Sequence, residues 1–274
     1  MEPTTRSAPP VPPPSRRKQP LSQRIMALVW VPLNWLEERS AIVSGTRYFL
    51  FRNVPSDSNW FHTLGSATLT AFLVQAATGI ILAFYYQPTP DEAYSSIRYI
   101  THDVTLGWLV RGMHKWGASV FIILLFLHMA RVFLFGAYKY PRELNWIIGF
   151  TLLILGMLQG FTGYLLPWDQ TAYWATVVGI NLNGTGPIFG PFLGQFLRGG
   201  DEIGPNTLTI FYAMHMLLLP LAIAGLIFVH LYLVVRLGVS SPPWSAERAG
   251  APRPDQEPRG PGLVRPKARG RFAR

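Results

Sequence analysis

The chain has 274 residues, of which 49% are hydrophobic and 14% are charged, and its formal net charge is +10. It contains no cysteine, which excludes disulfides, iron–sulfur ligation and thioether-linked cofactors in this chain. Residues 61–86, 145–166 and 207–235 carry no charged side chain, and each segment is long enough to cross a hydrocarbon core of about 30 Å. Soluble helices show a polar face and these do not, so the composition favours a membrane protein.

In chain order, the composition predicts four regions. Residues 1–20 are rich in proline and basic residues and are predicted to be a disordered tail. Residues 21–60 are predicted to form an amphipathic helix at the cytoplasmic membrane surface and a linker. Residues 61–237 are predicted to form an all-α integral membrane bundle of four helices. Residues 238–274 are predicted to be a second disordered, basic tail.

The four predicted membrane helices are joined by loops of unequal charge. They span residues 61–86, 107–135, 145–166 and 207–237. Residues 1–57 hold eight Lys and Arg, the tail from residue 248 holds another eight, and the loop between the second and third helices adds Lys139 and Arg142. The positive-inside rule therefore predicts that both termini and this loop of a multi-pass protein are cytoplasmic. The net charge is explained by this topology, and no nucleic-acid partner is predicted.

Four histidines lie deep in two of these apolar helices. His114 and His128 are 14 residues apart, about 21 Å along a helix axis, and His215 and His230 are 15 residues apart. An imidazole inside a membrane helix is costly and marks a functional site. With the two helices facing each other, the pattern predicts two stacked sites with two imidazoles each, a ligand set that suits haem iron.

Glycines repeat the same interval in the other two helices. Gly65 and Gly79 are 14 residues apart in the first helix, as are Gly149 and Gly163 in the third. Small residues in membrane helices often serve close helix packing alone, and this alternative stays open. The shared interval favours glycines that make room for two flat macrocycles.

Two arginines lie one helical turn from the histidines, each toward a membrane surface. Arg111 precedes His114 by three residues and Arg131 follows His128 by three. Haem propionates would be within reach of such neighbours, which predicts a propionate-binding role. The alternative is that both are ordinary snorkelling residues at helix ends. His62 and His102 lie near helix ends or in a loop and are interpreted as structural or surface residues.

Four sequence motifs extend this pattern: Arg-Gly-Met-His-Lys-Trp-Gly-Ala at 111–118, His-Met-Ala-Arg at 128–131, Gly-Tyr-Leu-Leu-Pro-Trp-Asp-Gln at 163–170 and Thr-Leu-Thr-Ile-Phe-Tyr-Ala-Met-His at 207–215. Together they resemble the cytochrome b family of the quinol-oxidising bc and bf complexes. The resemblance runs from about residue 33 to 243 and is strongest to the short, split, four-helix form, the cytochrome b6 type.

The resemblance implies a ligand pairing and a set of site residues. It assigns His114 and His215 to a haem near the outer (p) side, and His128 and His230 to a haem near the inner (n) side. Other positions match family residues that line the haems; they are Gly65, Gly79, Gln75, Gly149 and Gly163. Candidate quinone-site residues are Trp168 and Asp169 on the p side and Arg236 on the n side.

The resemblance also implies a function and partners. The chain would be the di-haem b subunit of a quinol:cytochrome c or plastocyanin oxidoreductase that runs a proton-translocating Q cycle. Its partners would be a separate subunit with the remaining cytochrome b helices, a Rieske iron–sulfur protein, a c-type cytochrome, quinone and a second copy in a dimeric complex. No residue of the chain is predicted to be catalytic, so the subunit alone would not turn over quinol.

Three departures from the family pattern are present. Thr63 stands where cytochrome b6 carries the cysteine of an extra covalent haem, so a third haem is not expected to be held by a thioether. Ile210 stands where an arginine is common, and the tail from Ser245 has no counterpart. Two alternative functions stay open: a di-haem anchor of a hydrogenase or formate dehydrogenase, and a non-redox membrane scaffold or transporter.

Overall fold

A computed structural model describes residues 21–51 and 58–244. The chain divides into two units, residues 1–53 and 54–274. The predicted tail at 1–20, and the predicted second tail from residue 245 on, lie outside the described residues.

Within residues 21–51, the described part of the first unit, there are two helices, α1 (Leu21–Ser40) and α2 (Ile42–Leu50). Ala41 joins them in the left-handed region, with φ 49°. The backbone amide of Ser44 donates to the carboxylate of Glu37 at 3.0 Å, which links the start of α2 to α1. Several large apolar side chains of this unit are exposed; they are Leu28, Trp30, Val31, Trp35, Leu36 and Ile42.

The second unit is built around four helices long and apolar enough to cross a membrane. Shorter helices connect them, and the described residues contain no β-strand. The helices are α3 (Leu64–Ala83, preceded by a 3-10 turn at Trp60–Thr63), α4 (Ala93–His102), α5 (Gly107–Leu134), α6 (Glu143–Leu165), α7 (Gln170–Gly184), α8 (Gly190–Arg198), α9 (Pro205–Ala213) and α10 (Leu219–Leu237). A π-helical segment, Met214–Leu218, joins α9 to α10 in one continuous span. The predicted all-α class with four membrane-spanning helices is confirmed.

These four spans have large apolar side chains on their outer faces, as expected for helices in contact with lipid. One such side chain on each span is Leu73, Leu134, Ile147 and Phe228, which are 58%, 74%, 59% and 75% exposed. Such side chains would be costly in water, whereas lipid tails are as apolar as the side chains themselves. The exposed apolar faces therefore indicate that lipid surrounds this bundle.

Helices α3 and α5 pack along each other, and so do α6 and α10. Between α5 and α6, a small cluster of buried side chains contains Phe121, Leu125 and Leu153. Gly156 on α6 lets this cluster form, since a Cβ there would lie 2.8 Å from a methyl carbon of Leu125. Phe121 and Leu125 lie between His114 and His128 along α5, so the cluster separates the two histidine levels.

The segment after α6, predicted as one long loop over 167–206, contains α7 and α8. These helices pack against α9 and the end of α6 through a cluster of buried residues: Leu165, Ile180, Leu197 and Phe211. Tyr86, after the end of α3, donates from its hydroxyl to the carbonyl of Leu166 at 2.7 Å. Burial raises the pKa of Tyr86 well above its ordinary value, which keeps the phenol protonated as a donor.

Candidate haem-binding sites

Four histidines of the second unit, the ones in its membrane spans α5 and α9–α10, meet in two pairs. The ring centroids of His114 and His215 are 6.3 Å apart with an interplanar angle of 83°. Those of His128 and His230 are 6.5 Å apart at 82°. Helix α5 supplies one histidine of each pair, and the span from α9 to α10 supplies the other.

The spacing within each pair fits two ligands on opposite sides of one metal ion. Nitrogen–metal bonds of about 2 Å, plus roughly 1 Å from each nitrogen to its ring centre, would separate two imidazole centroids by about 6 Å. Among residues 21–51 and 58–244, no group of three or more His, Cys, Asp and Glu side chains could hold a metal ion by itself. Two imidazoles suit an iron that brings four donors of its own, as haem iron does.

A one-residue difference in spacing is absorbed by the π-helical segment. His215 lies in this segment, Met214–Leu218, whereas the helix that carries His114 and His128 is α-helical throughout. A π turn accommodates one extra residue, so 15 residues in the fourth span cover the same number of turns as 14 in α5. Both pairs can therefore form at matching depths.

Each of the four paired glycines lies against one histidine of the neighbouring helix. A Cβ added to Gly65 or Gly79 would lie 3.0 Å or 3.1 Å from the Cε1 of His128 or His114. A Cβ at Gly149 would lie 3.4 Å from Cε1 of His230, and one at Gly163 would lie 2.5 Å from Cε1 of His215. The first group that these glycines accommodate is thus an imidazole, and their contact with a macrocycle stays a prediction.

A five-residue motif, Gln-x-x-Thr-Gly, occurs at 75–79 on α3 and again at 159–163 on α6. Its glycines and Gln75 were predicted from the sequence as site residues, whereas Thr78, Gln159 and Thr162 were not. Each threonine hydroxyl lies within hydrogen-bonding distance of a histidine Nδ1: Thr78 at 2.9 Å from His114, and Thr162 at 3.1 Å from His215. The repeat of the motif, 84 residues apart, is the signal that could have identified these side chains.

The two glutamines of this motif bind backbone groups at the histidine turns. The side-chain amide of Gln159 donates to the carbonyl of His215 at 2.9 Å. With its amide oriented to match its neighbours, Gln75 donates to the carbonyl of His114 at 2.9 Å and accepts from the amide of Ala118 at 3.1 Å. These bonds fix the rotation of both ligand helices at the first pair.

The two predicted propionate residues have different surroundings. Arg111 donates to the hydroxyl of Thr101 at 3.2 Å. The guanidinium of Arg131 lies 5.5 Å from the ring centre of Phe135, and its Nε is buried without a hydrogen-bond partner among the described residues. A buried, unpaired cationic N–H fits a nearby anion, so the propionate role stays a prediction that Arg131 in particular supports.

The three candidate quinone-site residues each contact a residue nearby in the chain. Asp169 caps α7, since its carboxylate accepts from the amide of Ala172 at 2.9 Å. Trp168 has a positive φ of 52° and packs edge-on against Tyr173. Arg236 donates to the hydroxyl of Tyr232 at 3.0 Å and is exposed. Each thus has a local partner, and a role toward quinone stays a prediction.

Three further residues singled out by the sequence, Thr63, Ile210 and His62, have local partners as well. Thr63 donates to the carbonyl of Trp60 at 2.7 Å, and Ile210 packs against the cluster around Phe211. The Nδ1 of His62 accepts from the backbone amide of Asn59 at 3.2 Å.

The fold and the histidine pairs define an all-helical, membrane-spanning bundle with two candidate metal sites stacked along its axis. The sequence profile of the family "Cytochrome b/b6/petB" matches residues 50–238. This chain therefore belongs to the cytochrome b/b6 family and is an integral membrane protein.

Similar proteins include cytochrome b6 from Synechococcus sp. (strain CC9311), which is 42% identical over 209 residues, 76% of this chain and 96% of that protein. Cytochrome b6 from Prochlorococcus marinus (strain MIT 9215) has the same identity and coverage. Among solved structures, a chain of a hyperthermophilic respiratory Complex III matches 81% of this chain with a TM-score of 0.70 and 31% identity. The present chain spans 59% of the length of that Complex III chain.

Proposed function

We propose that this chain is the di-haem electron-transfer subunit of a membrane quinol oxidoreductase of the cytochrome bc or b6f type. The observation that carries the proposal is the two histidine pairs, with ring centroids 6.3 Å and 6.5 Å apart, in a member of the cytochrome b/b6 family. Haem b, when bound, supplies one-electron redox chemistry at each level. The chain's own residues hold the iron, orient the ligands and keep water away.

Each residue set has a distinct task in this proposal. His114 with His215 would hold the iron of one haem, and His128 with His230 would hold the iron of the other. Four glycines on α3 and α6 let the imidazoles approach the neighbouring helix; they are Gly65, Gly79, Gly149 and Gly163. Gln75 fixes the turn of α5 that carries a ligand. Arg111 and Arg131 are the partners of the haem propionates.

Two haem sites at different depths in the bundle would make the chain a path for electrons across the membrane. Quinol is oxidised near Trp168 and Asp169 on the p side and gives up two electrons and two protons. One electron goes to a Rieske iron–sulfur protein and then to a c-type cytochrome or plastocyanin. The other crosses this subunit to the n side. Two such electrons, from two quinol oxidations, together with two protons taken up there, reduce one quinone to quinol near Arg236 and complete a Q cycle.

A separate subunit completes the quinol-oxidation site. The chain spans nearly the whole length of the cytochrome b6 relatives but only 59% of the Complex III chain, which supports a split arrangement. The acidic residue expected at the quinol site lies on that other subunit, so this chain contains no catalytic residue and is inactive alone. The complex is proposed to be dimeric, with two non-covalent haems and no thioether-held third haem in each copy, since the chain has no cysteine.

The chain is proposed to lie in a bacterial cytoplasmic membrane with both termini inside. The charge of the loops supports this topology, because the Tyr138–Glu143 loop carries Lys139 and Arg142. The proposed regions are a tail at 1–20, a surface helix and linker at 21–60, the di-haem domain at 61–237 and a second tail at 238–274.

The test is the haem content of the protein purified with its natural partners. The wild type is expected to show a b-type spectrum and about two haems per chain. His215→Leu is expected to lose one haem, because a single imidazole remains at that level, whereas the exposed His102→Leu keeps both. A colourless wild type would refute the proposal. Co-purification with a Rieske protein supports a bc or b6f complex, and co-purification with hydrogenase or formate dehydrogenase subunits contradicts it.

A further inference from the structure

The two histidine pairs differ in what their second ring nitrogen contacts. At the first pair, the hydroxyl oxygen of Thr78 lies 2.9 Å from Nδ1 of His114, and that of Thr162 lies 3.1 Å from Nδ1 of His215. Both threonines are buried, with 6% and 1% of their surface exposed. His215 Nδ1 also lies 3.1 Å from the carbonyl oxygen of Gln159.

Each threonine already donates its single hydroxyl proton to a backbone carbonyl, and this determines the direction of its hydrogen bond to the imidazole. The hydroxyl of Thr78 donates to the carbonyl of Val74 at 2.7 Å, and that of Thr162 donates to the carbonyl of Gln159 at 3.1 Å. A hydroxyl has one proton and two lone pairs, so each oxygen faces the imidazole as an acceptor. The proton of the neutral imidazole therefore lies on Nδ1, and Nε2 keeps a free lone pair for a metal.

The second pair has no such hydroxyl. The residues that precede its glycines are Leu64 and Ile148, in place of the two threonines. The Nδ1 atoms of His128 and His230 are buried, and no side-chain hydroxyl of the described residues bonds to either of them. The backbone of Asn145 interacts with His230, whereas Nδ1 of His128 has no hydrogen-bond partner among the described residues.

An acceptor on the far nitrogen of a histidine ligand makes that ligand more basic. A more basic ligand stabilises the oxidised form of the iron it binds and lowers the midpoint potential of that site. The partial negative charge of the hydroxyl oxygen, in a low-dielectric interior, acts in the same direction.

We infer that Thr78 and Thr162 are positioning residues that lower the redox potential of the His114–His215 site relative to the His128–His230 site. This inference rests on the proposed function, because it concerns the haem bound by that pair. A lower potential at the first site makes electron transfer toward the second site more favourable. The difference in redox potential between the two sites thus arises from one side chain on α3, Thr78, and one on α6, Thr162.

The test is a redox titration of the purified complex, in which the absorbance of the b haems is the measured signal. Thr78→Val and Thr162→Val remove the hydroxyl with little change in shape. Each is expected to keep two haems and to raise the midpoint potential of one of them, and the double variant is expected to shift it further. The His215→Leu protein, which keeps only the second-site haem, identifies the component that does not shift.

Matched controls are available on the same two helices. Thr70→Val on α3 and Thr151→Val on α6 remove hydroxyls that bond only to the preceding helical turn, and both are expected to leave the potentials unchanged. Thr78→Ser and Thr162→Ser retain a hydroxyl and are expected to restore the wild-type potential. If a valine variant loses the first-site haem, recovery of that haem in the serine variant supports positioning.

Three results would overturn the inference: an unchanged or lowered potential in the valine variants, an equal shift of both haems, or serine variants that behave like valine variants. Each of these results is obtained on protein that binds haem, so the proposed function would stand. Absence of haem from the wild type would instead refute the proposed function.

Discussion

At the residue scale, the approach of each imidazole to the neighbouring helix depends on the absence of a side chain at one position. Gly163 has the tightest contact, because a Cβ there would lie 2.5 Å from Cε1 and 3.1 Å from Nδ1 of His215. Real side chains essentially never approach so closely, so either the ring or the helix would have to shift. Glycine costs about 1 kcal/mol relative to alanine within a helix, and the fit of the histidine accounts for its presence here.

Gly163→Ala is therefore expected to weaken haem binding at the first pair by roughly 10- to 100-fold, the range typical for disturbed support of a metal ligand. The haem of the second pair is expected to stay in place. Gly225→Ala, on α10, is the matched control, since nothing lies within 4 Å of its added Cβ. Haem-to-protein ratios measured during dialysis against apomyoglobin check the prediction. Equal haem retention in the two variants would contradict it.

At the scale of elements, the π-helical segment reconciles the unequal histidine intervals. One residue more or less in an α-helix rotates everything beyond it by about 100° and moves it by 1.5 Å. The extra residue between His215 and His230 is absorbed where the side chain of Gln159 binds the carbonyl of His215. The two ligand helices can then present their histidines to each other at both levels.

Deletion and insertion of one residue in this segment are expected to have opposite effects on haem binding. Deletion of Leu217, which is exposed, leaves 14 residues between the histidines, the interval of the regular helix α5, so both haems are expected to remain. Insertion of one alanine after Leu217 turns His230 about 100° away from His128, so one haem is expected to be lost. Haem quantification of the two variants is the measurement. Loss of haem in the deletion variant, with retention in the insertion variant, would disprove this account of the segment.

At the scale of the whole molecule, the second unit presents apolar side chains outward and polar contacts inward. Exposed Phe228 and Leu134 lie on the same spans that carry the histidine pairs. Hydrogen bonds between side chains of different spans occur at the first histidine pair, as in the contact of Thr162 with His215. This arrangement fits a bundle surrounded by lipid that keeps its functional groups on its axis.

Membrane topology can be measured directly, because the chain has no cysteine and one introduced thiol is the only target for a maleimide. Tyr140 and Thr185 are exposed and lie in loops separated by one membrane span, α6, and by the helix α7. Tyr140→Cys is expected to be labelled by an impermeant maleimide only in inverted vesicles, and Thr185→Cys in spheroplasts. Labelling of both from the same side would contradict a membrane crossing between them.

Much of the site could be predicted from patterns with a regular period. The four spans, the histidine intervals and the paired glycines are all periodic along one helix, and helical geometry converts such spacing into depth. Thr78 and Thr162 escaped notice because a threonine in an apolar helix ordinarily bonds to its own preceding turn. Nothing in their local sequence shows that a histidine from another helix adds a second partner.

The order of residues along the chain was enough to establish the membrane-spanning class, the number of spans and the four candidate ligands, because apolar length and helical period are local properties. Helix packing settled which histidine faces which, and that each glycine faces one imidazole. It also settled that a π turn brings unequal intervals to equal depth, and that a hydroxyl lies on Nδ1 at one pair and not at the other. These contacts join residues far apart along the chain, 36 positions for Thr78 with His114 and 56 positions for Gln159 with His215, and only the arrangement of the helices in space sets such distances.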